Sequence, residues 1–330
     1  MREPGRIDAR QHQVSMKKFD KDKLSDVDIY LGEPNEQVRE SLRAMMRGEG
    51  LRRTRTFSRI DDMINALKEA PADLLIVATD IDPTLFDVIR DIRHFKMGRN
   101  PFIMITLMVR AEDDEAVKRA ILAGADDVMI KPVSPGKLLE RVAHLTINRL
   151  PFIVTTDYVG PERRRAGETR PSKIKLLNVV NTLKKKVDGQ RLTQGELNRE
   201  VENCMNEVMA ARLDSHGLKL GWVCNIILKS YEEKRVDKEL EDRILILVSV
   251  LEDASRTARA IGEPELANIC TQMARQVEEM AETYQNPTDT QLGTIRKLTK
   301  AFELAKTAKM PPPAPPAEAP PAGDQQAATG

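Results

Sequence analysis

Three stretches of the sequence end an apolar run close to an ionisable side chain, and a fourth carries a hydroxyl. Glu33 follows VDIYL (27–31), Asp80 stands two residues beyond DLLIVA (73–78), and Lys131 follows DDVMI (126–130). Thr106 sits inside PFIMITL (101–107). The plainest chemistry open to this set is charge neutralisation, with Lys131 pairing to Glu33 or Asp80. Pro132, directly behind the lysine, sets a tight turn, cis or trans, that aims the loop. Further along, His216 has Lys219 one helical turn away. The run Arg163-Arg164-Arg165 suits either a phosphate or acidic partner, or salt bridges to a neighbouring domain. Lys184-Lys185-Lys186 closes a helix, where the dipole favours cations. His12, His94 and His144 lack metal-ligand spacing, and no Gly-rich phosphate loop, Gly-x-Ser-x-Gly elbow or His-Glu-x-x-His is present.

The elements that must position these residues alternate. VDIYL reads as a buried strand. NEQVRESLRAMMR places Val38, Leu42, Met45 and Met46 on one helical face, with Gly48 and Gly50 at its end. LRRTRTF is a more exposed strand, IDDMINALKEA a helix, DLLIVA the third strand and FDVIRDIRHF the third helix. PFIMITL and DDVMI supply strands four and five. Between them EDDEAVKRAILAG is a helix with acids in its first turn, which suits the dipole. Ser134 caps a last helix whose first residue is Pro135. Five strands alternating with five helices imply a doubly wound parallel sheet covered on both faces. Ligand sites in such sheets lie beyond the carboxyl ends of the strands, which points to Glu33, the 78–82 turn, Thr106 and Lys131.

Residues 1–23 read as a flexible N-terminal arm, 24–148 as the α/β domain, and 149–172 as a linker with a basic middle. Residues 173–308 read as an all-α bundle and 309–330 as a Pro/Ala-rich disordered tail. The bundle is expected to have about six helices. They cover 174–187, a segment opened by the Thr193-x-x-Glu196 capping box, 216–232 with Trp222, 237–261, a helix entered at Glu263-Pro264, and one capped by Thr288-x-x-Gln291. Asp214-Ser215-His216-Gly217 reads as a break between the second and third of these.

With 330 residues, 41% hydrophobic and 31% charged, the chain has the balance of a globular protein with room for two domains. The formal net charge of +1 supplies no overall field for nucleic acid or anionic lipid. Cys204, Cys224 and Cys270 form no Cys-x-x-Cys pair and fit reduced thiols in a cytoplasmic protein. No apolar run reaches the length of a membrane span, and the N-terminus has no secretory apolar core.

IYLGEPNEQVR, ITL (105–107) and AGADDVMIKPVSPGKLLERV together give residues 24–148 a pattern that resembles the receiver domains of bacterial response regulators, of the chemotaxis-regulator kind. The resemblance implies a flavodoxin-like fold and phosphoryl transfer to an aspartate at the end of the third strand. It also implies a divalent cation, Mg2+, held by carboxylates, with Lys131 and Thr106 contacting the phosphoryl group. Such a site needs clustered acids and a nucleophilic carboxylate. On this pattern Glu33 matches the first acid, while the second acid position is Pro34. Aligned without gaps from Asp73, the acceptor position is Ala78. A two-residue shift brings Asp80 there on the same face of the strand, as phosphoacceptor and, with Glu33, metal ligand. HGLKLG (216–221) faintly resembles histidine phosphotransfer domains, which would make His216 a second phosphoryl site, although Leu220 stands where that family has glycine.

The leading expectation is a degenerate receiver, a non-enzymatic adaptor of two-component signalling. It would bind a histidine kinase or other signalling protein through its fourth helix, fifth strand and fifth helix, with the helical domain as output or dimerisation module and homodimerisation open. The second is an active phosphorelay regulator carrying phosphate on Asp80 or His216. The third is a DNA-binding regulator acting through the helical domain, which the neutral charge and the lack of a clear basic recognition helix disfavour.

Overall fold

The computed structural model describes residues 21–163, 174–190 and 193–308, without the side chains of residues 21, 22, 299 and 301–308. The arm expected over 1–23, save its last three residues, and the tail expected over 309–330 lie outside the described residues, as do His12, Arg164 and Arg165.

Five parallel strands, β1 (Asp28–Gly32), β2 (Arg53–Phe57), β3 (Leu74–Ala78), β4 (Met104–Val109) and β5 (Asp127–Ile130), pair in the order β2-β1-β3-β4-β5. This is the doubly wound arrangement expected from the sequence. The helices between them are α1 (Glu36–Gly48), α2 (Ile60–Glu69), α3 (Leu85–Arg93) and α4 (Asp114–Ala123), and α5 (Pro135–Ile147) follows β5. β3 and β4 are buried along their whole length, as central strands of a sheet covered on both sides must be. One face packs on α2, α3 and α4 through Met63, Leu67, Leu85, Ile89 and Ala120. The other packs on α1 and α5 through Leu42, Met46, Leu138, Val142 and Leu145.

The stretch expected as a linker departs from that expectation. Phe152–Val154 (β6) and Val159–Pro161 (β7) pair as an antiparallel hairpin. Phe152 and Phe102 are fully buried beneath it, in a core shared with Leu177, Val180, Val201 and Val208. The helix expected over 174–187 is confined to α6 (Thr182–Val187), capped by Asn181, while Leu177 forms a bridge to Phe152. The three lysines of α6 each pair with acids. Lys184 pairs with Asp188, Lys185 with Glu200, and Lys186 with Asp28 and Asp73 at the start of the sheet.

No break occurs at 214–217, because α7 runs unbroken from Gln194 to Glu232. Helices α8 (Lys238–Ala260), α9 (Pro264–Glu282) and α10 (Asp289–Ala308) follow, so five helices rather than six occupy the described residues after 173. The contacts divide the chain into Met1–His216 with Glu252–Thr271, and Gly217–Leu251 with Gln272–Gly330. The second unit has a core of its own built from Leu220, Ile227, Leu240, Ile244, Leu247, Val277, Met280 and Ile295. Among the described residues no helix is long and apolar enough to cross a membrane.

Candidate functional site

Glu33 is the first residue past β1, and its backbone N–H still bonds the Phe57 carbonyl of β2 at 3.0 Å. Asn35 then caps α1 by accepting from the Val38 N–H, so the chain turns sharply and the Glu33 side chain stays buried beneath the helix entrance. Gly32 allows this close passage, since a Cβ there would lie 2.9 Å from Val77 Cγ1 and 3.0 Å from Ile81 Cδ1. Asp80 belongs to a turn held over β4 by the Thr79 N–H on the Met108 carbonyl and by the Ile81 N–H on the Ala78 carbonyl. Lys131 leaves β5 with its N–H on the Val109 carbonyl, and its peptide bond to Pro132 is cis.

These placements bring three side chains together. The Lys131 ammonium donates to Glu33 Oε2 at 2.8 Å and to Asp80 Oδ1 at 3.0 Å, bridging two carboxylates. Glu33 Oε1 accepts from the Asn35 N–H at 3.1 Å, and Asp80 Oδ2 accepts from Arg110 Nη2 and Nε at 3.2 and 3.3 Å. Arg39 Nη1 adds a bond to the Glu33 carbonyl at 2.9 Å. Burial pushes the Asp80 carboxyl up, but the bonds and charge of Lys131, with Arg110, outweigh it and hold the group below the ordinary aspartate range. Charge-assisted bonds of this kind are the strong ones, and here every carboxylate oxygen of the pair has a donor.

Other expected residues are not in the cluster. Thr106 lies mid-strand, level with Ile76 of β3 and Asp127 of β5, and is 2% exposed. It shares the sheet face of Met104 and Met108, under α1 and α5. Ala78 does end β3, but its neighbour at that level is Met108. His216 is 1% exposed within α7, its Nε2 3.5 Å from Thr257 Oγ1, so the exposed imidazole that phosphotransfer requires is absent there. Arg110, Arg39 and Asn35 were not anticipated. Arg110 had a sequence signal, as the first charged residue to stop the run FIMITLMV, and Asn35 had one as a helix-capping type directly before Glu36.

A magnesium ion does not fit this donor set. Pro34 has no side-chain oxygen, Ala78 has none at the strand tip, and the Lys131 ammonium already sits between the two remaining carboxylates. Among the described residues, no group of three or more His, Cys, Asp or Glu side chains is arranged to hold a metal.

Residues 29–143 match the family model described as the response regulator receiver domain. The transcriptional regulatory protein GltR of Pseudomonas aeruginosa is 36% identical over 120 residues, which are 36% of this chain. The chain spans 48% of that relative's length. A response regulator receiver protein from Burkholderia phymatum, 16% identical, aligns over 36% of this chain and 94% of its own with a TM-score of 0.31. The response regulator DrrB of Thermotoga maritima, an OmpR/PhoB homologue 19% identical, aligns over 56% of this chain and 89% of its own with a TM-score of 0.33. The family match is to the first domain and not to the chain as a whole: residues 29–143 form a response regulator receiver domain.

Proposed function

We propose that the receiver domain is degenerate and signals by binding other proteins rather than by cycling an acyl phosphate, so that the chain is a cytoplasmic, non-enzymatic adaptor. The observation that carries this reading is the Lys131 ammonium closed between Glu33 and Asp80, with Pro34 and Ala78 where the family pattern has acids. Such a cluster neutralises its own charge and leaves no carboxylate oxygen unengaged. Partner binding through α4, β5 and α5 is supported by three apolar side chains turned to solvent on these elements, Leu122 (66% exposed), Ile130 (38% exposed) and Ile147 (52% exposed). A histidine kinase, another signalling protein or a second copy of the chain would meet that face, with the helical domain as output module.

The test is incubation of the full chain with acetyl phosphate and magnesium, followed by intact mass. The unmodified mass is expected. Gain of one phosphoryl group, mapped to Asp80 by its loss in Asp80→Asn, would establish the active phosphorelay reading instead.

A second reading, regulation of transcription, takes its support from the name of the relative that is 36% identical. It requires the helical domain to bind DNA, and that binding should be strong at low salt and fall steeply as salt rises. Binding that does not change with salt, or none, removes it.

A further inference from the structure

Beside the ion-pair cluster lies an open groove of about 580 Å³. One wall is α1, which presents Val38, Leu42 and Met45 along a single stripe. Met108 and Ala111 form the floor, and Pro132 and Val133 the opposite wall. The volume falls in the range of small-molecule sites, and such sites are apolar with a few polar groups that fix orientation. Two thioethers in the lining give it an adaptable surface. The charged groups of the lining are Arg110 and Lys131, and no carboxylate lines it. Lys131 is committed to Glu33 and Asp80, but Arg110 is 68% exposed on its side chain and reaches Asp80 through Nε and Nη2, so other N–H bonds of its fork remain to be placed.

A largely apolar trough with an arginine at its edge, the neutral polar Gln37 and Ser41 on the α1 wall and no acid in its lining selects against cations. Its charge matches a molecule with one acidic group and an apolar body. We propose that the groove is a binding site for a small amphipathic carboxylate, with the apolar body along Val38, Met45 and Val133 and the acid on the Arg110 guanidinium. This goes beyond the signalling reading above and concerns the chain with Asp80 unmodified.

Decanoate is a suitable probe, added below its micelle concentration to the full chain carrying 13C-methyl methionine. The methyl resonances of Met45 and Met108 should shift saturably, while those of Met273 and Met280 in the second unit stay in place. Arg110→Gln should weaken the apparent affinity about tenfold, in line with the loss of a charge-assisted hydrogen bond. Val38→Trp fills the groove from a half-exposed position without touching the ion pairs, and should abolish the shifts. Absence of shifts at Met45 and Met108 in the wild-type chain would overturn the proposal. So would equal binding of decylamine, or shifts that survive Val38→Trp. The methyl shifts are read on the untreated chain and the mass change on a separate aliquot given acetyl phosphate, so failure of the one reading is distinguished from failure of the other.

Discussion

Charge placement at single residues decides what the rim of the sheet can do. The Glu33 side chain is 2% exposed and depends on Lys131 for its only cationic partner among the ion pairs described. Lys131→Met should therefore cost about 3 kcal/mol in unfolding free energy, the usual penalty for stranding a buried charge. Arg110→Ala removes a partner that is 68% exposed and should cost less than about 1 kcal/mol. Denaturant unfolding of the two variants side by side checks the contrast, and equal losses would mean that Glu33 is not the buried member. His94 reports at the same scale. Burial, with Arg212, Lys96 and Arg90 nearby and Asp253 opposing them weakly, lowers its pKa from 6.5 to about 4. The unfolded chain then binds a proton that the native chain refuses between those values, so stability present above pH 6.5 is lost as pH falls toward 4. His94→Gln should flatten that part of the Tm-against-pH curve. A curve of unchanged slope would show that His94 does not contribute to it.

At the scale of elements, the hairpin β6–β7 is held against the α4–β5 turn by close backbone contact and a buried arginine. A Cβ at Gly160 would lie 2.6 Å from Tyr158 Oη and 2.9 Å from Gly124 Cα, so Gly160→Ala should destabilise by about 1–3 kcal/mol. Arg93 is fully buried, pairs with Asp126 at 2.6 Å, and donates to the carbonyls of Gly124, Pro101 and Ile103. Arg149 of the following segment reaches the same aspartate at 3.2 Å. None of this was legible in advance, because strands of three residues carry too little alternation to be told from a linker. The five sheet strands were legible, since each is a short apolar or alternating run bounded by turn residues. Thr106 was misplaced for a related reason. Its strand stays apolar through Val109, so the hydroxyl falls two residues short of the level of Met108 and Ala78. The break expected over Asp214-Ser215-His216-Gly217 is absent, since glycine's low helix propensity is a cost near 1 kcal/mol that tertiary packing of a 39-residue helix overrides. Glu33, Asp80 and Lys131 were legible as a set because parallel strands bring their carboxyl ends to one rim.

For the whole molecule, the packing of the receiver domain continues past its last helix. Phe102 belongs to the β4 approach but is buried with Phe152, Leu177 and Val201, all beyond residue 148. A fragment of residues 24–148 should thus uncover apolar surface, bind a hydrophobic dye and melt roughly 5–10 °C below the corresponding transition of the full chain. A fragment as stable and as dye-silent as the full chain would show that the hairpin adds nothing to the domain.

The most direct test of the closed ion-pair site is thermal unfolding of the full chain with and without magnesium, since a ligand of the native state raises Tm. With Lys131 between Glu33 and Asp80, magnesium should leave Tm unchanged beyond its ionic-strength effect, matched by adding sodium chloride. A magnesium-specific rise in Tm that disappears in Asp80→Asn would contradict it.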